Sequence, residues 1–470
     1  MRDILLPFIQ WFFTASIGYF LFANLTYLLL LVLAFIDIRK SRLKAPLLIK
    51  ELKATPPAFA PAISLIAPAY NEGKSIIAAV KSFLSLNYPV FEIIVVNDGS
   101  KDDTLQQMIT YFKMYPEDIF IDPRVQSKPI KGTWRSSIHP HLILVDKENG
   151  RKADANNAGV AVAKYPVICA VDSDSVLEEE SLLRIALPFF EDPDLTIASG
   201  GTIRVLNGST TKYGRVVTQR LSREPLVMYQ NVEYIRAFLC GRVGWNALGA
   251  TLVISGAFGL FNREAVIACG GYDHASLGED MELIVRMHRY YGETLKRDYR
   301  IVFVPDPVCW TEVPFDWKTL GKQRVRWSRG LAETMMKNKQ LFHPRYKLMG
   351  MYAMPYYFLV ELLGPIIELL SWFCVGMGMY YGIINREMIA IFFLIGIVFG
   401  IFMTIMAIMI EEIYFRKESR LRELLWMTFY GCIETFGYRQ VNSYWRLKGL
   451  WEHFRGTASS WGEMKRRGIN

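Results

Sequence analysis

The stretch of sequence that decides the fold runs from residue 142 to residue 174 and reads LILVDKENGRKADANNAGVAVAKYPVICAVDSD. Residues 142–145 are all apolar and predict a buried strand. Residues 153–163 are rich in alanine and predict a helix, and residues 167–171 predict a second buried strand that ends in Asp172-Ser173-Asp174. Because parallel strands are joined by right-handed crossovers, this strand–helix–strand unit predicts strands of a mostly parallel sheet.

The same alternation extends toward the N-terminus. Residues 63–67 predict a strand, residues 68–73 predict a turn, and a helix follows to about residue 86. Residues 92–96 predict another strand, which ends in Asn97-Asp98-Gly99-Ser100. Strands that alternate with helices are typical of the α/β class with a mostly parallel sheet, in which ligands bind beyond the carboxyl ends of the strands. We therefore expect Asp98, Asp172 and Asp174 to converge on one crevice.

The interval between Asp98 and Lys152 is long for a connection between two such strands. It carries a basic run that includes Lys128, Lys131 and Arg135, and we assign this run to no regular element. We interpret this interval as a surface loop, and residues 104–141 receive no functional role from the sequence.

The composition excludes several classes of protein. Of the 470 residues, 51% are hydrophobic and 14% are aromatic, so the chain has ample apolar surface to bury and is not disordered. Glycine and proline are at ordinary levels and the six cysteines stand isolated, which excludes a collagen or a small disulfide scaffold. The net charge is +9, but the basic excess follows the borders of apolar segments, so we expect no nucleic-acid partner.

Three long apolar segments predict membrane-spanning helices, since a helix needs about 20 apolar residues to cross a bilayer. Residues 4–36 contain no charged side chain, and their length argues against a cleaved signal peptide. Residues 348–385 form the second segment, which Glu361 and Glu368 interrupt, and residues 388–410 form the third. Basic clusters follow the first and third segments, and the positive-inside rule places these ends in the cytoplasm.

The sequence therefore predicts a multi-pass protein of the cell (plasma or inner) membrane with a cytoplasmic α/β domain. Residues 424–438 are apolar but short, which is more typical of an interfacial or re-entrant segment than of a fourth span, the alternative. We predict a transmembrane helix in residues 1–45, an α/β domain with C-terminal interfacial helices in residues 55–345, two transmembrane helices in residues 346–415, and an interfacial segment with a cytoplasmic tail in residues 416–470.

Three short motifs carry chemically useful side chains, and each has a structural alternative. Asp172 and Asp174 can share one divalent cation, but such a pair also suits a turn or a helix cap. Residues 323–327 (QRVRW) offer an arginine fork for phosphate and an aromatic face, but also suit an amphipathic helix at a membrane surface. Asp280 at a predicted helix start can act as a general base, or merely complement the helix dipole.

Taken together, six motifs in register resemble those of family 2 glycosyltransferases. The closest resemblance is to the processive membrane synthases that make cellulose, hyaluronan and poly-N-acetylglucosamine. The motifs are residues 68–72 (PAYNE), 97–100 (NDGS), 152–156 (KADAN), 172–174 (DSD), 278–280 (GED) and 323–327 (QRVRW). The resemblance covers about residues 60–345, departs from many members at Gly278, where they have threonine, and implies a GT-A fold.

The resemblance also implies a role for each matching residue. The nucleotide-sugar site would contain Tyr70, Glu72, Asp98, Lys152, Asp172 and Arg326, and Mg²⁺ or Mn²⁺ would bind to Asp172 and Asp174. Asp280 would be the catalytic base. The acceptor and diphosphate side would contain Glu279, Gln323, Trp327, Ser255 and Gly256.

Two further features are open to two interpretations. The tail resembles the gating loop of some synthases at Trp461 and Arg466, but departs after the Trp-Gly pair, and a basic tail on anionic lipid is the alternative. Glu361 and Glu368 lie seven residues apart and therefore on one helix face. Intramembrane carboxylates usually face a watery path or a protein contact, so we weigh a polymer channel against a contact with a neighbouring helix or the interfacial segment.

The expected activity is that of a processive, inverting hexosyltransferase. It would extend a β-linked polysaccharide from UDP-Glc or UDP-GlcNAc, use the growing polysaccharide as acceptor, and secrete the product through its own membrane segment, with accessory secretion subunits open as further partners. The alternative is a non-processive transferase that adds one sugar to a lipid carrier. An alternative from another functional class is a transporter or channel with a regulatory domain that binds nucleotide-sugars. That alternative assigns no role to Asp280.

Overall fold

The computed structural model describes residues 2–212, 214–415 and 420–456. The strands in these residues fall mainly in the first two thirds of the chain, as the sequence predicts. They are β1 Ile63–Ala69, β2 Phe91–Asn97, β3 Met114–Pro116, β4 Ile130–Ser136, β5 Leu142–Lys147, β6 Val167–Val171, β7 Val176–Leu177, β8 Thr196–Val205, β9 Thr210–Lys212, β10 Arg215–Thr218, β11 Phe258–Asn262 and β12 Arg300–Thr311.

Helices alternate with the strands and then make up the C-terminal third. The α-helices are α1 Arg2–Ala54, α2 Ile76–Leu84, α3 Thr104–Tyr111, α4 Arg151–Val162, α5 Ser181–Glu191, α6 Pro225–Ile235, α7 Val243–Ala247, α8 Arg263–Ala268, α9 Glu279–Arg289, α10 Trp317–Lys337, α11 Met354–Tyr356, α12 Gly364–Tyr380, α13 Arg386–Phe393, α14 Phe399–Tyr414, α15 Leu421–Ile433 and α16 Tyr438–Phe454. The π-helical segments are Arg236–Arg242, Tyr290–Leu295, Met349–Ala353, Tyr357–Leu362 and Leu394–Val398, and the 3₁₀ turns are Pro57–Phe59, Lys339–Leu341 and Pro344–Tyr346.

A mixed sheet forms the centre of the α/β part, with strand order β3-β4-β5-β2-β1-β6-β11-β8-β12-β7. Strands β5, β2, β1 and β6 are parallel neighbours, so their carboxyl ends lie at one edge of the sheet. Strand β4 pairs with β5, and β11 pairs with β6, in the antiparallel sense. The predicted α/β class with a block of parallel strands is confirmed, and the flanking antiparallel strands make the sheet mixed.

Helix α4 can lie close to the parallel strands because its sequence is rich in small residues. Ala155, Ala158 and Ala161 belong to the buried core that also contains Ile66 of β1. Gly159 lies directly against the Ile66 side chain, where a β-carbon would overlap it. This close approach fixes the helix that begins with Arg151 and Lys152 against the middle of the sheet.

The predicted surface loop between Asp98 and Lys152 is wrong. The interval contains α3 and the antiparallel strands β3 and β4, which extend the sheet beyond β5. Lys131 and Arg135 lie within β4, and Arg135 forms an ion pair with Glu117. Strand β4 could not be predicted from the sequence, because it is half-buried near the edge of the sheet and lacks a regular apolar alternation.

The described residues fall into two compact units. One, which we call the α/β unit, comprises Ile38–Arg223 and Gly249–Val313 and contains the mixed sheet. The other, the helical unit, comprises the chain up to Asp37, Glu224–Leu248, and the described residues from Pro314 onward. These limits cut across the predicted α/β domain of residues 55–345, because Glu224–Leu248 and α10 cluster with the helices.

Helix α1 continues well past its predicted end at residue 45. It reaches Ala54 without a break, and its C-terminal part belongs to the α/β unit. Ile38, Ala45 and Leu52, spaced seven residues apart, are buried along one face, and Lys53 forms an ion pair with Glu180. These tertiary contacts keep the helix intact through residues that a hydropathy pattern alone assigns to its end.

Among the residues that the structure describes, two helices are long and apolar enough to cross a membrane. They are Pro7–Ala54 and Arg386–Tyr414, and a third span is added if Met349–Leu362 and Gly364–Tyr380, which meet at a 49° bend, count as one. The bend coincides with Pro365, which has no backbone N–H and whose ring disfavours a continuous helix. The expected turn between the second and third segments ends at Asn385, whose side chain caps the next helix by accepting a hydrogen bond from the Met388 N–H.

Candidate active site

The parallel strands of the α/β unit bring polar residues to one edge of the sheet. Ala69 of β1 pairs with Asn97 of β2, and Asn97 pairs in turn with Asp146 of β5. The next residues along these strands, Tyr70 and Asp98, therefore emerge at the same level. The predicted placement of Asp98, Asp172 and Asp174 at strand ends agrees with this arrangement, since Asp172 directly follows β6.

An ammonium group joins the carboxylates beyond β6. Lys152 Nζ lies 2.5 Å from Asp172 Oδ1 and 3.7 Å from Glu279 Oε1, and it donates a hydrogen bond of 3.1 Å to the Gly256 carbonyl oxygen. Burial alone would lower the pKa of Lys152, but the nearby carboxylates outweigh burial and raise this pKa above its ordinary value. Lys152 is therefore a permanent positive charge within a group of acids.

The predicted base lies on the other side of the same glycine. Asp280 Oδ2 accepts a hydrogen bond of 2.9 Å from the Gly256 N–H, and Oδ1 accepts one of 2.8 Å from the Met281 N–H. A β-carbon on Gly256 would lie 3.0 Å from Lys152 Nζ and 3.4 Å from Asp280, so a side chain here would crowd both groups. Asp280 lies in the first turn of α9, at the positive end of the helix dipole.

The loop before β11 contacts α9 through His288 as well as through Asp280. The buried His288 ring, two helical turns after Asp280, has Nε2 2.8 Å from the Thr251 carbonyl oxygen and Nδ1 2.8 Å from the Tyr299 hydroxyl. Since a carbonyl only accepts, Nε2 carries the proton and Nδ1 accepts from Tyr299. Burial lowers the pKa of His288 to about 4, so the ring is neutral near pH 7.

Asp98, which the family resemblance assigns to the nucleotide-sugar site, is bound within the protein by one lysine and two backbone N–H groups. It is 3% exposed and accepts hydrogen bonds from Lys147 Nζ (2.8 Å), the Gly150 N–H (2.9 Å) and the Arg151 N–H (2.8 Å). Lys147 is fully buried and also pairs with Asp154 of α4. Asp98 thus holds the loop that leads into α4, while its proposed nucleotide role stays a prediction.

Tyr70 and Glu72 lie on the loop after β1. The Tyr70 side chain is 41% exposed, and the Glu72 carboxylate accepts a hydrogen bond of 2.5 Å from the Ser75 hydroxyl. The backbone of this loop is held by the segment after β2, because the Glu72 N–H donates to Thr104 Oγ1 at 2.9 Å and the Gly73 N–H donates to Asp102 Oδ2 at 3.0 Å. The loop is therefore fixed at the same edge of the sheet as Asp98.

The remaining predicted motif lies in the helical unit, on α10. Asp316 caps this helix by accepting a hydrogen bond of 2.9 Å from the Thr319 N–H. Arg324 is buried and donates to Glu233 Oε2 at 2.8 Å, and its guanidinium lies 4.6 Å from the centre of the Trp327 ring. Trp327 is 41% exposed, and Gln323 and Arg326 are half-buried beside it. Arg324 thus anchors the helix, whereas Trp327 presents an accessible face.

Several residues that contact the predicted site residues could not be identified from short sequence motifs. Lys147, His288 and Glu233 belong to no short motif, yet each contacts a predicted residue or its loop. The position of Lys147 has a sequence signal, because pairing β2 with β5 in parallel places the residue after Asn97 beside the residue after Asp146. His288 and Glu233 have no such signal, since their partners are far away in the chain.

Two further predictions concern a gating loop and a metal site. Trp461 and Arg466, the predicted gating loop, lie outside the described residues. Within residues 2–212, 214–415 and 420–456, there is no group of three or more His, Cys, Asp or Glu side chains arranged to hold a metal ion. Asp172 and Asp174 remain the carboxylates predicted for that task.

Comparison with known proteins identifies the family. The sequence profile described as glycosyltransferase-like family 2 matches residues 60–330, which is more than half of the chain. The chain belongs to glycosyltransferase family 2. The matched region contains the residues predicted from the resemblance, from Tyr70 through Asp280 to Trp327, so the expected family is confirmed.

Curated relatives and a solved structure agree with this family. Poly-β-1,6-N-acetyl-D-glucosamine synthases from Staphylococcus epidermidis and from Staphylococcus aureus strain COL are each 29% identical over 276 residues, which is 59% of this chain and 56% of theirs. The match thus spans little more than half the length of these relatives. A mannosyltransferase from Pyrobaculum calidifontis, solved in complex with GDP-Man and Mn²⁺, is 16% identical with a TM-score of 0.51, covering 91% of this chain and all of that one. This likeness confirms the GT-A type fold of the family 2 glycosyltransferase.

Proposed function

We propose that this family 2 glycosyltransferase is a membrane-integrated, inverting hexosyltransferase that extends a β-linked polysaccharide from a UDP-sugar. The observation that carries the proposal is the cluster formed by Lys152, Asp172, Glu279 and Asp280 around the Gly256 backbone. It combines a fixed cation, the Asp172 carboxylate beyond β6 and two carboxylates in the first turn of α9. These are the groups that transfer from a nucleoside diphosphate requires.

On the donor side, the leaving group is a diphosphate, on which negative charge grows as the bond to the sugar breaks. Fixed positive charge at this point stabilises the transition state. Lys152 supplies such a charge, and we assign Arg326 a second one through its planar guanidinium. Tyr70 offers an exposed aromatic face for the base, while Asp98 fixes the surrounding loop.

The carboxylates of Asp172 and Asp174 suit a divalent cation. Both supply the hard oxygen ligands that Mg²⁺ and Mn²⁺ prefer, and the ammonium of Lys152 against Asp172 indicates that this position already balances a positive charge. Asp172 and Asp174 would hold the ion, which when bound supplies charge neutralisation at the diphosphate. The Mn²⁺ in the mannosyltransferase complex supports a divalent ion of this kind.

On the acceptor side, Asp280 would take the proton from the attacking hydroxyl. Its two oxygens are oriented by the N–H groups of Gly256 and Met281, and each oxygen retains a lone pair for the incoming proton. A single displacement at the anomeric carbon inverts its configuration, so an α-linked donor gives a β-linked product. Ser255, Glu279, Gln323 and Trp327 are proposed to line the acceptor and diphosphate side.

The membrane assignment comes from the apolar helices and the charge beside them. Pro7–Ala54 and Arg386–Tyr414 have the length and composition of spans, and basic residues follow residue 38. We therefore place the α/β unit in the cytoplasm, where UDP-sugars are made. The names of the curated relatives favour UDP-GlcNAc over UDP-Glc as the donor.

The test is release of the nucleoside diphosphate (UDP or GDP) by the purified full-length chain in lipid nanodiscs, measured with a panel of UDP-GlcNAc, UDP-Glc and GDP-Man and with added Mg²⁺ or Mn²⁺. We expect UDP-GlcNAc to support turnover, and the product to be digested by a β-specific hexosaminidase. Absence of turnover with every UDP-sugar in the panel would refute the proposal. A product that is a single sugar on a lipid would refute the polymerising part and support the one-sugar alternative.

A further inference from the structure

Helix α16 packs against α10 through two glycines, one on each helix. The ring of Trp445 lies over Gly321, where a β-carbon would be 2.8 Å from the indole. One turn further along α16, Gly449 lies against α10, where a β-carbon would be 2.5 Å from the Val325 carbonyl oxygen and 2.9 Å from Ser328 Cβ. Real β-carbons essentially never come within 3.0 Å of another heavy atom, so neither glycine can be replaced without a shift.

Polar contacts reinforce the same interface. The Ser328 hydroxyl donates a hydrogen bond of 2.7 Å to the Arg446 carbonyl oxygen, and Arg329 Nη1 lies 3.3 Å from Glu452 Oε2. Val325 and Ser328 flank Arg326 and Trp327 in the sequence. The closest approach of α16 therefore falls on the turn of α10 that carries the predicted acceptor-side motif.

Side-chain contacts also join α16 to the bent apolar pair of helical segments, Met349–Leu362 and Gly364–Tyr380. Glu368 of α12 accepts a hydrogen bond of 2.7 Å from the Ser443 hydroxyl, and its Oε1 lies 3.0 Å from Arg439 Nε. Glu361, before the bend, has Oε2 3.0 Å from Arg446 Nη2. Of the two interpretations of these glutamates, the contact with a neighbouring helix is the one that the described residues contain.

We infer that Gly449 is a positioning residue, which sets the place of Arg326 and Trp327 by letting α16 lie directly on the Val325–Ser328 turn of α10. The Glu361–Arg446 and Glu368–Arg439 ion pairs fix the position of α16 along the bent apolar pair of helical segments. The inference rests on the proposed function through the role given to Arg326 and Trp327. A methyl group at residue 449 would wedge the two helices apart at that turn and displace the motif.

The test compares Gly449→Ala with Gly376→Ala in the full-length chain in nanodiscs. Both glycines are helical, but a β-carbon at Gly376 meets nothing within 4 Å, so this variant controls for the change in helix propensity. We expect Gly449→Ala to lower kcat by about 10- to 100-fold and to shorten the product, because a displacement of about 1 Å has such an effect on transfer. Gly376→Ala should keep the rate, and both variants should unfold in a single cooperative thermal transition. Gly449→Ala should in addition bind UDP more weakly, because Arg326 is assigned to the diphosphate.

A charge exchange gives an independent measurement. Glu361→Arg and Arg446→Glu should each lower kcat, and the combined variant should recover most of it because the pair is rebuilt with its signs reversed. A wild-type rate and product length in Gly449→Ala would overturn the inference, as would the loss of a cooperative thermal unfolding transition in this variant, which indicates a general folding defect. If the unaltered chain transfers no sugar, the proposed function fails instead, and the two failures are distinguishable.

Discussion

Lys152 Nζ lies 2.5 Å from Asp172 Oδ1, so the first turn of α4 is joined to the end of β6 by an ion pair. The same ammonium donates to the Gly256 carbonyl oxygen, whose residue in turn donates its N–H to Asp280. The proposed donor side and the proposed base are therefore linked through one lysine and one glycine backbone. This arrangement determines what single substitutions should do.

Replacing Lys152 by methionine should remove the fixed cation and leave the neighbouring carboxylates to repel a diphosphate. We expect kcat/KM for the UDP-sugar to fall by about 100-fold or more, as when a transition-state donor is removed. Lys152→Arg keeps the charge and should retain part of the activity. Initial rates of UDP release measure both variants, and a methionine variant within a few fold of the unaltered chain would contradict this role.

Asp280→Asn should separate transfer from donor binding. Asparagine keeps an oxygen for the Gly256 N–H but cannot take a proton, so transfer should fall by about 100- to 10,000-fold. Calorimetric binding of UDP should be unchanged, because Asp280 is assigned to the acceptor hydroxyl. Undiminished turnover in this variant would show that another group is the base.

Lys147→Met should affect stability more than the other substitutions. It leaves Asp98 and Asp154 buried without their shared cation, and loss of one partner from a buried ionic group costs about 3–5 kcal/mol. Thermal unfolding of the chain in detergent should shift to a clearly lower temperature. Lys131→Met, at an exposed position on β4, is the matched control and should leave the transition in place.

His288 should make the α/β unit sensitive to acid. Its pKa is about 4 in the folded protein against an ordinary 6.5, so the unfolded chain takes up a proton first as the pH falls. The stability contributed by the neutral ring is fully present above about pH 6.5 and is lost as the pH falls toward 4, amounting to about 3 kcal/mol.

The measurement is the difference in unfolding temperature between the unaltered chain and His288→Gln, which keeps a donor for Thr251 and an acceptor for Tyr299 but does not titrate. We expect the advantage of the unaltered chain at pH 7.5 to shrink or reverse by pH 4.5. An advantage that stays constant over this range would contradict the assignment of a buried neutral ring.

Much of the fold follows from local sequence patterns. The strands that end at Ala69, Asn97 and Val171 are short, apolar and followed by polar turns, and their parallel order places the polar residues at one edge. Strand β4 could not be predicted in this way, because it is half-buried and its side chains follow no apolar period. The continuation of α1 to Ala54 was missed because it depends on contacts such as Lys53–Glu180 rather than on hydropathy.

The site could be predicted only where a motif marks it. Asp172, Asp174 and Asp280 carry such motifs, and Asp280 required the family resemblance because an acid at a helix start is common. The contacts of His288 with Thr251 and of Gly449 with Val325 join segments 37 and 124 residues apart, so only the folded chain reveals them.

The most direct test of the central claim, processive polymerisation from a UDP-sugar, is a pulse–chase measurement of product length. The purified full-length chain in nanodiscs receives a short pulse of radiolabelled UDP-GlcNAc, followed by an excess of unlabelled donor, and the products are resolved by size. A processive synthase carries the label into long β-linked chains while the bulk of short acceptors stays unextended. A label that remains in products carrying one added sugar, however long the chase, would contradict the claim.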